Sequence, residues 1–110
     1  MQLMTKAVLK AFEEQGYTGD KEMKDIQVIC KFFNPVGPQT WYLYEYDPEE
    51  RIFMCFANLG DPTFAELGSL SLDEIESVSL PYGMKIERDR HFPKMSLKDV
   101  YDKVKGGEHV

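Results

Sequence analysis

Thr40-Trp41-Tyr42-Leu43-Tyr44-Glu45-Tyr46-Asp47 is the stretch on which the fold turns. Aromatic side chains at this density favour a pleated, half-buried surface. Its residues also divide cleanly by parity. Trp41, Leu43 and Glu45 point one way in an extended chain, and Tyr42, Tyr44 and Tyr46 the other. Turns bound it on both sides. Asn34-Pro35-Val36-Gly37-Pro38 precedes it, and two prolines cannot donate to a ladder. Asp47-Pro48-Glu49-Glu50 follows, with proline at the favoured second turn position. Upstream, residues 26–33 place Ile26, Val28, Cys30 and Phe32 in alternation; downstream, residues 51–58 form a third strand. The reading is three antiparallel strands joined by two hairpins.

Hairpin geometry then sets register. A six-residue loop pairs Phe33 with Thr40, so Cys30 opposes Leu43 and Phe32 opposes Trp41. A DPEE turn pairs Tyr46 with Arg51, so Leu43 opposes Met54. Cross-strand partners share a face. Val28, Cys30, Phe32, Trp41, Leu43, Ile52, Met54 and Phe56 therefore form the core face. Ile29, Lys31, Phe33, Tyr42, Tyr44, Tyr46, Phe53 and Cys55 form the other, suited to partial cover by a helix. Cys30 and Cys55 then lie on opposite faces and do not pair. Glu45 is the one charge on the core face, and a buried carboxylate needs a cation. Arg88 is the expected partner.

The rest of the chain supplies helices and a fourth strand. Thr5 caps a helix bearing Val8, Leu9 and Phe12, which Gly16 ends. Residues 64–70 read as a strand weakened by Gly68. Ser71-Leu72-Asp73-Glu74 is a capping box for a short helix. Ser96 caps a last helix with Leu97, Val100, Tyr101 and Val104 on one side, and residues 106–110 read as a frayed tail. The expectation is one α+β domain over residues 1–110: an antiparallel sheet of about four strands, helices at both chain ends and a short one after strand four.

Composition narrows function. The chain has 110 residues, 19 Asp and Glu against 13 Lys and Arg, and a net charge of −6. With a pI near 4.9, it lacks the basic footprint of an ordinary nucleic-acid binder. No apolar run is long enough for a membrane span, and two cysteines make no disulfide framework. The implied setting is cytoplasmic and reducing. No Cys-x-x-Cys or His-x-x-x-His spacing points to a metal, no glycine-rich phosphate loop occurs, and no cofactor is expected.

Several segments in order resemble the family called domain of unknown function 2958. They are Lys31-Phe32-Phe33, Thr40-Trp41-Tyr42 and Glu45-Tyr46-Asp47-Pro48-Glu49-Glu50, then Glu66-Leu67-Gly68 and residues 71–78, then Gly83, Ile86-Glu87-Arg88-Asp89 and Phe92. Such proteins are carried by bacterial plasmids, integrative elements and phages, often near conjugation or antirestriction genes. The resemblance implies a mobile-element accessory role and assigns no catalytic residues. The chain departs from the family pattern at residues 54–62, where a glycine-rich aromatic segment is usual, and at Ser69-Leu70, where an aromatic follows the glycine.

Three functional readings follow. The favoured one is a non-enzymatic accessory protein that docks on a host or element-encoded protein, as an anti-defence inhibitor of the antirestriction or anti-CRISPR type. A second is a small enzyme or anionic-ligand binder using Glu45, Arg88 and His91, with Arg88 gripping an anion and His91 moving a proton. A third is a single-stranded nucleic-acid module stacking bases on Tyr42, Tyr44 and Tyr46. The candidate residues are thus Tyr42, Tyr44, Tyr46, Glu45, Arg88, Asp89 and His91. The close carboxylate pairs, Glu45 with Asp47 and Glu87 with Asp89, read first as turn and ion-pair residues.

Overall fold

The computed structural model describes residues 2–110. Helix α1 (Lys6–Gln15) is followed by β1 (Gln27–Val28), β2 (Cys30–Phe33), β3 (Thr40–Asp47), β4 (Ile52–Asn58) and β5 (Glu66–Ser71). Helix α2 (Leu72–Ser77), β6 (Glu87–Arg88), β7 (Met95–Ser96) and α3 (Leu97–Lys105) complete the chain. Five strands make one antiparallel sheet in the order β5-β4-β3-β2-β6, and β1 pairs with β7 in a separate two-stranded ladder. The α+β class holds, with one more strand in the main sheet than the sequence suggests. The extra one, β6, is only two residues long and carries no alternation to read.

The caps explain the helix boundaries. Thr5 Oγ1 accepts from the Val8 N–H at 3.2 Å, and Gly16 ends α1 with φ +66°, a conformation glycine adopts without a Cβ clash. Ser71 Oγ accepts from Glu74 N at 3.2 Å, and Ser96 Oγ accepts from Asp99 N at 3.1 Å. Each bond satisfies one of the donors that a helix start leaves orphaned.

The first hairpin has the expected register. Cys30 pairs with Leu43, Lys31 with Tyr42, Phe32 with Trp41 and Phe33 with Thr40. The second hairpin does not. Asp47 pairs with Ile52 and Tyr46 with Phe53, because Arg51 joins the turn in a left-handed conformation, φ 56°. Asp47 Oδ1 accepts from the Glu49 and Glu50 N–H groups inside that turn. Register then shifts by one between Leu43 and Glu45, so that Leu43 opposes Cys55 and Tyr42 opposes Phe56. This is a β-bulge, and it re-aims the side chains beyond it. Gln15 secures it from α1: its Nε2 donates to the Tyr44 carbonyl at 2.6 Å and to the Gln27 carbonyl at 2.9 Å, while its Oε1 accepts from Gln27 N at 2.8 Å.

The bulge overturns part of the expected face assignment. Cys55 and Phe53 join Cys30, Phe32 and Leu43 on the face covered by α1 and α2, where Phe12, Leu72, Ile75 and Ile86 complete a core. Cys30 and Cys55 thus share a face, both as buried free thiols. Phe56 moves to the opposite face with Tyr42, Tyr44, Val28 and Ile26, beneath Leu97, Val100 and Val104 of α3. Tyr46 leaves the other two tyrosines and packs on Phe53 with ring centroids 4.6 Å apart. The sheet is therefore buried on both faces along its centre. Phe32, Phe53 and Phe56 are each 0% exposed.

Candidate functional sites

The bulge puts Tyr44 and Glu45 side by side on the α3 face. They line a groove of about 340 Å³ whose other walls include Tyr17, Met54, Leu67 and Leu97. Glu45 does not meet Arg88. Its Oε1 accepts from the Thr18 N–H at 2.7 Å and the Thr18 hydroxyl at 2.6 Å, and Thr18 is buried. Arg88 lies two strands across the sheet, a separation of about 10 Å from strand spacing alone. The expected brace is thus replaced by a hydroxyl and a backbone amide. The sequence signal is the Tyr17-Thr18-Gly19 loop after α1, whose threonine carries the short-range donors a carboxylate needs.

The same face continues along the sheet's outer strand. β5 pairs only with β4, and among the described residues no strand covers its other edge. Leu67 is 46% exposed and lines a second groove with Phe64, which is 77% exposed, and with Tyr101 and Lys105 of α3. Met54 and Tyr17 are exposed as well. Phe64, Leu67, Met54 and Tyr17 therefore form an apolar strip beside an open strand edge. Reading residues 64–70 as a strand does not by itself disclose this strip. The available signal is Phe64, an aromatic placed directly behind the Asp61-Pro62 turn.

At the other end of the sheet lies a polar cleft of about 450 Å³. Asp89 and His91 line it with Lys31, Arg90 and His109, while Arg88 borders it from β6 with its side chain turned to the α1 face. Asp89 Oδ1 accepts from the His91 N–H at 2.9 Å, and Asp89 N donates to the Lys31 carbonyl at 2.9 Å. Arg88 pairs with Phe32 in the ladder and its Nε donates to the Leu3 carbonyl at 3.0 Å. The anchor of the cleft is Lys31, only 8% exposed. Burial lowers its pKa, and the Asp89 carboxylate pulls it partly back. Parity places Lys31 on the tyrosine face, though not among the candidate residues.

The chemistry these positions allow is limited. Cys30 lies in the core, where burial pushes its thiol up to about 12, with only a partial offset from Arg88. A thiol so protonated is a poor nucleophile at neutral pH. Asp47 is engaged in its turn and Glu45 with Thr18, so the two carboxylates serve separate structural tasks. Tyr42 and Tyr44 are buried under α3, while Tyr46 faces the other way. The three rings offer no common platform for bases. Among the described residues, no three His, Cys, Asp or Glu side chains converge in a metal-binding group, and no helix is long and apolar enough to cross a membrane.

An antiparallel sheet covered by helices on both faces, with one open edge at β5, defines a small α+β protein. Residues 3–105 match the family model described as Protein of unknown function (DUF2958), and the chain belongs to that family. No curated protein and no solved structure matches it.

Proposed function

We propose that this chain is a non-enzymatic protein-binding module whose docking surface is the β5 edge. One observation carries the reading: the exposed apolar residues Phe64, Leu67 and Met54 lie beside an edge strand whose outer side pairs with no strand among the described residues. Proteins ordinarily blunt such edges with charge, proline or cover, because free N–H and C=O groups recruit another strand. Here the edge is acidic at its ends, with Asp61 and Glu66 before and within β5 and Asp73 and Glu74 on the first turn of α2. The fitting partner is an extended protein segment with apolar side chains at alternate positions and basic flanks, added as a further strand.

The family resemblance supplies a setting for this reading: an accessory protein of a mobile genetic element that docks on a host or element-encoded protein to blunt a defence system. Two buried free thiols suit a reducing cytoplasm.

Affinity capture from a host lysate, followed by hydrogen exchange on the purified complex, tests it. Capture of one stoichiometric protein is expected, with slowed exchange across Glu66–Ser71. Leu67→Lys should weaken capture by about tenfold or more while leaving the melting temperature nearly unchanged, since Leu67 is exposed. Capture unaffected by Leu67→Lys, or protection confined to other segments, overturns the assignment. Dimerisation through β5 would make a second copy the occupant instead.

A further inference from the structure

The groove beside Glu45 holds a charge that the fold does not use. Glu45 Oε1 accepts both bonds from Thr18, at 2.7 and 2.6 Å. A glutamine carbonyl has the lone pairs to accept the same two bonds, so the clamp itself does not require an anion. Among the described residues, Oε2 accepts no hydrogen bond and no cation pairs with the carboxylate. Lys21 shares the groove, but its Nζ donates to the Gln15 carbonyl at 3.4 Å. The Tyr44 hydroxyl likewise has no partner among the described residues, although Tyr44 lines the groove and is only 6% exposed.

The walls suit a cation as well. Tyr17 is 70% exposed, and its ring lies on Gly19, where a Cβ would collide with the tyrosine hydroxyl. Tyr17-Thr18-Gly19 thus builds one side of the groove: the threonine fixes the carboxylate and the glycine seats the ring. Tyrosine faces attract cations, and a carboxylate in a partly apolar groove does so more strongly than one in open water. The groove also leads to the docking strip. Met54 lies opposite Glu45 and Ser69 opposite Met54, so a row of side chains on one face runs from the carboxylate to β5. That row spans about 10 Å, two strand spacings, and the small, exposed Ser69 leaves its outer end open. Leu67 lines both this groove and the one bounded by Phe64.

We propose that the Tyr17–Tyr44–Glu45 groove receives an arginine or lysine side chain of the segment that docks on β5, a reading that rests on the docking proposed above. The cationic head pairs with Oε2 and donates to the Tyr44 hydroxyl oxygen, while its stem crosses Met54 and Leu67. The partner strand therefore carries one basic residue at a fixed position, beyond the general basic character of its flanks.

NMR titration of the full chain tests this with N-acetylarginine amide, N-acetyllysine amide and the neutral N-acetylcitrulline amide. Saturable shifts are expected at Tyr17, Thr18, Tyr44 and Glu45 with at least one cation and not with citrulline; the tighter cation names the residue. Glu45→Gln should weaken binding by about tenfold or more. Tyr17→Leu, which leaves the Thr18 clamp in place, should weaken it by about two- to fivefold. The cation site is overturned if neither cation saturates, if citrulline binds equally well, or if binding is unchanged in both variants. Phe64→Ser separates this from the docking reading, because Phe64 borders only the outer groove. It should weaken capture of the partner and leave the probes bound. Capture that responds to Phe64→Ser while neither cation binds overturns the cation site alone. Cations that bind while Phe64→Ser and Leu67→Lys leave capture unchanged overturn the docking reading, and with it the assignment of the cation to a β5 partner.

Discussion

The two faces of the sheet are both buried, yet they are built from different material. The face under α1 and α2 is a run of apolar groups: Phe12, Phe32, Leu43, Phe53, and the thiols of Cys30 and Cys55. Its rings interlock, with Phe32 edge-on to Phe53 at 5.5 Å and Phe12 tilted on Phe53 at 5.6 Å. The face under α3 is amphipathic. Tyr42 and Lys31 each bury a body and turn a polar head to a main-chain oxygen, and Tyr44 and Glu45 line an open groove. The proposed docking strip opens on this second face. On the proposed reading, the first face serves folding and the second recognition.

The largest expected effect separates them directly. Phe32→Ala removes a fully buried ring from the α1 face and should cost about 3–5 kcal/mol, against about 1 kcal/mol for Tyr42→Phe, which keeps the ring and loses one hydrogen bond. Urea denaturation of the two variants measures both. Equal losses would erase the distinction between the faces.

Alkaline pH sharpens it next. Burial pushes Cys30 and Cys55 from 9.0 up to about 12, and Tyr42 from 10.0 up to about 12. An acid whose folded pKa is raised keeps its proton in the fold after the unfolded chain has lost it. Its stabilisation is complete below the unfolded pKa and is lost as pH rises towards the folded one, at about 1.4 kcal/mol for each pH unit between the two values. Lys31 works against this: its lowered pKa means the unfolded chain binds more protons below 10.5, so its contribution rises with pH up to that point. The fall between pH 9 and 10 therefore belongs to the thiols of the α1 face. In pH-dependent urea melts, replacing both cysteines with alanine should delay the onset of the fall, and Tyr42→Phe should alter only its later part. An onset unmoved by removing both thiols would contradict that division.

Much of the architecture was legible because it depends on short-range rules. Thr5, Ser71 and Ser96 mark helix starts whose caps are local, and the Asn34–Pro38 loop fixes the first hairpin within a few residues. The second hairpin resisted reading because its register depends on two things that alternation does not encode. Arg51 adopts a positive φ although it is not glycine, and it is held in place by ion pairs to Asp73 and Glu76 at 2.7 and 2.8 Å, more than twenty positions away. The bulge at Tyr44 is secured by Gln15, which sits on a helix far off in sequence. One slipped register then moved every later side chain on β4. The candidate residues fared accordingly. Asp89 and His91 are local to one another and stay together, with Arg88 bordering their cleft, whereas Glu45 with Arg88 and Tyr46 with its neighbouring tyrosines were joined by parity alone.

Glu45 offers the smallest test and the most specific one. A carboxylate accepting from both donors of buried Thr18 ties the loop after α1 to the bulge, and so fixes one wall of the groove beside Leu67. Glu45→Gln keeps size and one acceptor but gives up the charge, which should cost about 1 kcal/mol. The loss should be matched, not added to, in Glu45→Gln with Thr18→Val, because both changes remove the same contact. Additive losses in that double-mutant cycle would mean that Glu45 draws its stability from elsewhere. A coupled loss with unchanged capture of the β5 partner would place Glu45 on the folding side of the division, despite its position on the recognition face.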